Sequence, residues 1–211
     1  MRTIIDALSW RYAVKEFDPN KKLSKEQLGV LLEALRLSPS SIGLQPWKFI
    51  LVENPDLRAK LREASYGQSK VTDASHFIVF AARKDLDEAY VDRFVALTAK
   101  TQGVDAASLS GLKDMAMGAL RSRTPEALVE WSARQAYIAL GVLLAAAAAE
   151  GIDACPMEGF DPKKYDEILG LEAQGLAAQV AVAVGFRSEG DAYARLPKTR
   201  FPKEEVVVEM R

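Results

Sequence analysis

Ser38-Pro39-Ser40-Ser41-Ile42-Gly43-Leu44-Gln45-Pro46-Trp47 joins a segment patterned as a helix to one patterned as a strand. Upstream, Ser24 with Gln27 three positions on has the form of a capping box. Leu28, Leu31, Leu32 and Leu35 then recur at helical spacing, so that helix buries one face. Downstream, Trp47-Lys48-Phe49-Ile50-Leu51-Val52 reads as a buried strand. About two to six residues usually suffice between such elements. This connection is longer and carries two prolines, a glycine, three serines and a glutamine. Stiffness combined with several hydrogen-bonding groups suits a loop that holds a flat polar ligand; an ornate surface loop is the plainer alternative.

Outward from that loop, helical and strand patterns alternate irregularly, with no internal repeat and no low-complexity linker. Asn54-Pro55-Asp56 opens a helix, with Asn as cap and Pro at the first position, and Leu57, Leu61 and Ala64 line its inner face. His76 to Ala82 is a second buried strand. Residues from about Leu86 to Leu120 are helical in pattern, with a polar middle around Gly103 and Gly111. Thr124-Pro125-Glu126 starts the longest helix, which should run to Glu150 and stop at Gly151. Its apolar run from Ala136 to Ala149 suits a helix surrounded by protein or a dimer interface, and is too short to span a bilayer. Asp161-Pro162 opens a short helix ending near Gly170. Ala178 to Val184 is a third strand and Val206-Val207-Val208 a candidate fourth. The polar, proline-containing stretch from Glu189 to Glu205 has the character of an arm laid across a partner.

At 211 residues, 49% hydrophobic and 27% charged, the chain fits a single domain spanning 1–211 with a sizeable core. Lys and Arg total 28 against 29 for Asp and Glu, a balance that points neither to nucleic acid nor to an anionic membrane. The chain opens without a basic segment followed by an apolar run, and its single cysteine fits a reducing cytoplasm. One histidine and one cysteine are too few for the usual zinc sites without several carboxylates, so no metal is expected. His76 would have to serve any Ser-His-Asp triad, but at the entry to a strand it reads as a packed or capping residue. Neither Gly-x-Gly-x-x-Gly nor Gly-x-x-x-x-Gly-Lys-Ser/Thr occurs, so any nucleotide must be held by another architecture.

Three further segments bear on that architecture: Arg11-Tyr12-Ala13-Val14-Lys15-Glu16-Phe17, Cys155-Pro156-Met157-Glu158-Gly159-Phe160 and Leu196-Pro197-Lys198-Thr199-Arg200-Phe201-Pro202. With the Ser38–Trp47 loop, in this order, they resemble the FMN-dependent nitroreductase family. The resemblance is strongest to its oxygen-insensitive NAD(P)H nitroreductase and dihydropteridine reductase branch, and is weak between about residues 85 and 123. It implies an α+β fold: a three-layer α-β-α sandwich whose mixed central sheet is flanked by helices, with a C-terminal arm extending to a dimer partner. It also implies bound FMN, NAD(P)H as electron donor and a small-molecule electron acceptor such as a nitroaromatic or a quinone. The nearest rivals are an enone reductase, a dehalogenase or a flavin-fragmenting enzyme of the same fold, or a flavin carrier without turnover.

FMN joins a phosphate through a polyol to a three-ring plane, so its site needs cations, donors for the pyrimidine edge and apolar walls. By the resemblance, Arg11, Lys198 and Arg200 are the phosphate cations, and guanidinium forks bind phosphate bidentately. Lys15 lies against the N1 and C2 carbonyl edge, where reduction leaves negative charge. Gln68 serves the pyrimidine edge, standing in for an Asn that many relatives carry at the position of Gly67. Gly159 offers a backbone N–H to N5, and Pro156, Met157 and Glu158 shape that face, a helix-capping or salt-bridged carboxylate being the alternative for Glu158. Pro39, Ser40, Ser41 and Leu44 come from the other subunit, while Tyr12, Ala13 and Lys70 complete the set. Ala13 stands where the family commonly has a hydroxyl. No side chain need act as nucleophile or general base, and a redox role for Cys155 is the lesser alternative to a structural one.

Overall fold

A computed structural model describes residues 3–210 of the chain. Thr3 opens α1 (Ile4–Trp10) through a capping box with Asp6, and Ser24 opens α2 (Lys25–Arg36) through the expected one with Gln27. After the Ser38–Pro46 loop comes β1 (Trp47–Val52). Asn54 accepts from the backbone N–H of Asp56 and Leu57, and Pro55 takes the first position of α3 (Pro55–Glu63). Then follow α4 (Lys70–Asp73) and β2 (His76–Arg83). The weakly patterned stretch resolves into α5 (Glu88–Gln102), a 3-10 turn at Ala106–Leu109 and α6 (Ser110–Arg121), with left-handed Gly103 ending α5. Thr124 caps α7 (Pro125–Ala149). The chain continues through β3 (Asp153–Met157), α8 (Pro162–Leu169), β4 (Leu176–Gly185) and α9 (Lys203–Val206).

The strands form one sheet in the order β1-β2-β4-β3. Side-chain alternation along β2 and β4 divides the core into two layers. Phe77, Val79, Ala81, Ala181 and Ala183 join Leu61 of α3 and Tyr165 of α8 on one face. Ile78, Phe80, Val180, Val182 and Val184 join Leu31 and Leu35 of α2 and Ala139, Leu140 and Leu143 of α7 on the other. This is the expected three-layer sandwich. Leu143 is wholly buried there, and truncating such a leucine to alanine costs roughly 2–5 kcal/mol. A third cluster, outside the sandwich, packs α5 and α6 against Leu44 and the start of α7 through Val91, Val95, Met117, Leu120 and Trp131.

Several expectations need correction. The four strands pair antiparallel throughout, and among the described residues the parallel component of a mixed sheet is confined to an isolated bridge between Ala13 and Ala154. Val206-Val207-Val208 is not a strand: Val206 ends α9 and all three side chains are exposed, with no strand among the described residues beside them to share hydrogen bonds. Conversely, Asp153–Met157 is a strand although Pro156 lies in it. The position at the sheet edge lets a residue without an N–H be tolerated. Finally, α7 is 25 residues long, and by length and composition long and apolar enough to cross a membrane. Its packing on the sheet and on α1 and α2 accounts for that composition in the fold.

Candidate functional site

The N-terminal segment leaves α1 at Arg11 and runs extended beside β3, while the chain beyond β4 returns across it through a 3-10 turn at Ala192–Arg195. Between them is a cavity of 490 Å³. Arg11, Lys15, Lys198 and Arg200 line it together with Tyr12, Ala13 and Tyr193, and no acidic residue does. Lys198 Nζ donates to the carbonyl oxygens of Leu8, at 2.5 Å, and Arg11, which anchors the arm to the C-terminal end of α1. There the helix dipole favours a cation. Among the described residues, Arg200 donates to the adjacent Thr199 carbonyl alone, at 2.6 Å. The buried Arg11 Nε has no hydrogen-bond partner among the described residues.

Four cations stand together without a carboxylate among the described lining residues, and Arg11 and Lys198 carry the mark of that crowding. Burial and then the charge of Arg200 pull Arg11 below its ordinary value; burial, Arg11 and Arg200 do the same to Lys198. An anion inserted among them would relieve both penalties, so the residues present fit a phosphate group. Deeper in, burial pushes the Cys155 thiol up against the opposing pull of Lys70, Lys15 and Arg11. Such a thiol stays protonated near neutral pH and is a poor nucleophile. Lys15 Nζ stands 5.4 Å from the centre of the Tyr193 ring.

The turn at Tyr66 and Gly67, both at positive φ, delivers Gln68, whose Nε2 donates to the Gly159 carbonyl at 2.7 Å. A Cβ at Gly159 would come within 3.1 Å of that nitrogen, so glycine allows the approach. Met157 is buried at the end of β3, and Glu158 accepts from the Tyr137 hydroxyl of α7. Phe160 then stacks on Tyr165 at 4.1 Å and holds this loop to α8.

Pro39, Ser40, Ser41 and Leu44 lie apart from the cavity. The Ser41 N–H donates to Gln135 Oε1 of α7 at 2.8 Å, and the Gln45 N–H to Ser40 Oγ at 2.9 Å. The Leu44 side chain is committed to the third cluster of its own chain, and its carbonyl accepts from the Tyr90 hydroxyl at 2.8 Å. Leu44, expected to face a ligand in the partner's site, thus keeps its apolar side chain in its own chain, where it is worth more than in contact with water.

Sequence reasoning missed Asp191. It is 2% exposed, and its Oδ2 accepts from the Tyr12 hydroxyl at 3.0 Å and from the N–H groups of Lys15 and Glu16 at 2.8 and 3.2 Å. Its Oδ1 accepts from the Tyr193 N–H at 3.0 Å. Burial alone would raise its pKa, but these bonds outweigh burial and hold the carboxyl below the usual range. Gly190-Asp191 was the available signal, an Asx-type turn start in a stretch otherwise read as a polar arm. Also missed was Arg187. It pairs with Asp153 at 2.6 Å and lies against the rings of Trp10 and Tyr12 at 4.5 and 4.6 Å.

An α+β sandwich with a cationic cavity between its N-terminal segment and C-terminal arm has the charge and geometry that suit an anion. Comparison with known proteins makes this specific. The sequence model of the Nitroreductase family matches residues 8–186, and the chain belongs to that family. A Bacillus subtilis protein provisionally named NAD(P)H nitroreductase YfkO is 41% identical over 97% of this chain and 96% of its own. Among solved structures, a nitroreductase-type protein of Exiguobacterium sibiricum in complex with FMN superimposes with a TM-score of 0.83 at 21% identity, covering 100% of this chain and 98% of its own. CLA-ER, an enone reductase of gut-bacterial fatty acid saturation, gives 0.81 at 22% identity, covering 100% and 99%.

Proposed function

We propose that this chain is a single-domain, FMN-dependent NAD(P)H oxidoreductase that reduces nitroaromatics or quinones two electrons at a time. The observation that carries this is the cavity lined by Arg11, Lys15, Lys198 and Arg200 with no acidic residue, in a member of the nitroreductase family. The name of its Bacillus relative and the FMN bound by its Exiguobacterium neighbour support the same assignment.

Arg11, Lys198 and Arg200 would bind the phosphate, Arg11 through the Nε that has no partner among the described residues. Tyr12 and Ala13 would line the polyol. Lys15 would hold a fixed positive charge against the ring edge, with Lys70 behind it, and Gln68 would serve the pyrimidine. Pro156, Met157, Glu158 and Gly159 would cover one face and exclude water. When bound, FMN supplies the chemistry the side chains lack, taking hydride from the nicotinamide and giving it to the second substrate. With one face covered by protein, both substrates must use the other, so the first product leaves before the second substrate enters.

The protein is further proposed to be a cytoplasmic homodimer in which Pro39, Ser40, Ser41 and the Leu44 backbone complete the partner's site. Exposed Ile4, Ile5 and Leu8 on α1, Tyr137 and Ile138 on α7, and Phe201 and Val206 on the arm offer the apolar area a dimer requires. The test begins with FMN-loaded protein mixed anaerobically with NADH or NADPH. Rapid bleaching marks an enzyme, and no bleaching marks a carrier. Initial rates over a grid of both substrates should then give parallel double-reciprocal lines, and intersecting lines would overturn the alternating mechanism. Including enones among the acceptors separates the enone reductase alternative, which the fold of CLA-ER keeps in view.

A further inference from the structure

Asp191 lies outside residues 8–186 matched by the family, is almost wholly buried, and contacts no cavity surface itself. Its partners do: Tyr12, Lys15 and Tyr193 all line the cavity. One carboxylate oxygen holds the N-terminal wall at three points, namely the Tyr12 hydroxyl and the N–H groups of Lys15 and Glu16. The other holds the Tyr193 N–H, the second in the turn that launches the arm carrying Lys198 and Arg200. A second tie runs alongside: Arg187, paired with Asp153 of β3, lies against the Tyr12 ring. The same carboxylate therefore fixes where Lys15 begins and where the arm's cations begin.

Resting on the proposed binding of FMN, we propose that Asp191 is the positioning residue of the site: it sets the separation between Lys15 and the phosphate cations to the length of one flavin mononucleotide. The polyol joining ring to phosphate has limited reach, so a cradle whose ends drift apart can grip one end or the other but not both. A preorganised separation also spares the ligand the cost of ordering the arm. Tyr12 then owes its place to its hydroxyl as well as to its ring.

The experiment measures binding of FMN and of riboflavin, which lacks the phosphate, to the apoprotein and to its Asp191→Ala, Asp191→Asn and Tyr12→Phe variants. The apoprotein melting temperature of each is recorded alongside. For Asp191→Ala the preference for FMN over riboflavin should fall by about tenfold or more, the scale of one lost charge-assisted contact. Riboflavin binding should change by less than about threefold on the same scale. In flavin-saturated protein the midpoint potential should drop, because Lys15 is no longer held in place. Asp191→Asn keeps one acceptor oxygen and should lie between parent and Ala variant. It also carries the test if Asp191→Ala does not fold. Tyr12→Phe keeps the ring stacked on Arg187 and should shift the preference in the same direction, by less. Equal weakening of both ligands in step with a lower melting temperature would reduce Asp191 to a structural residue and overturn the proposal. An unchanged preference and potential in Asp191→Asn and Asp191→Ala would overturn it equally. If the parent apoprotein binds neither flavin, the proposed cofactor fails, and this inference with it.

Discussion

At the scale of single residues, the four cations of the cavity are not equivalent. Lys198 is spent on the carbonyls at the end of α1, and Arg11 is half enclosed, whereas Arg200, among the described residues, donates just to its neighbour's carbonyl. Of the three proposed phosphate cations Arg200 is thus the most available to a ligand, and Arg200→Ala should remove a contact of roughly 1.5–3 kcal/mol. The variant should purify folded but largely colourless; full flavin retention, read from its absorbance, would exclude the role. His76 makes a different prediction. Its Nδ1 lies 2.9 Å from Ser75 Oγ, and burial holds its pKa below the ordinary 6.5, helped by Arg58 and Lys22 and opposed by Glu53. Below that ordinary value the unfolded chain binds more protons than the folded one, so stability falls as pH drops through it. Urea midpoints of parent and His76→Gln, compared at pH about 7 and about 5.5, should show a smaller acid loss in the variant.

At the scale of elements, the Ser38–Pro46 loop is held from α7. Gln135 is 6% exposed, accepts from the Ser41 N–H and donates to the Trp131 carbonyl at 3.1 Å. Gln135→Leu removes the loop's partner and should cost about 1–3 kcal/mol in urea titrations. It should also speed proteolytic cleavage within residues 38–46; unchanged cleavage would mean the loop is held by other contacts. The caps of α2, α3 and α7 and the bounds of β1 were legible in the sequence because they depend on residues a few positions apart. The cation set was legible because motif order revealed a family. What escaped depends on long-range pairing. The strand β3 was hidden by Pro156, α1 carries its Thr3 cap on a short and unremarkable run, and Asp191 meets its partners only when the chain's two ends fold together. The packing of Leu44 was hidden for the same reason, since it depends on α5 and α6, the least patterned elements, together with the start of α7.

For the whole molecule, the shared-site dimer predicts complementation. A chain carrying Arg11→Ala and Arg200→Ala should bind no flavin by itself, and neither should a chain carrying Ser41→Trp. Mixed dimers place both lesions in one site and leave the other whole, so one flavin per dimer should return. If mixing restores nothing, the two sets of residues do not meet across an interface. The sheet order has a further consequence, in time rather than in space. Its central pair, β2 with β4, joins strands between which the chain inserts α5, α6, α7, β3 and α8. Translation runs at roughly 5–20 residues per second, so β2 waits seconds with an unpaired edge before β4 leaves the ribosome. During that interval the nascent chain is a client for chaperones, and substitutions that slow emergence of β4 should lower yield without altering the melting temperature of what survives. Leu196 to Arg200 emerge later still. Flavin capture should therefore follow closure of the sheet, so that among partly made chains the yellow colour marks the finished ones.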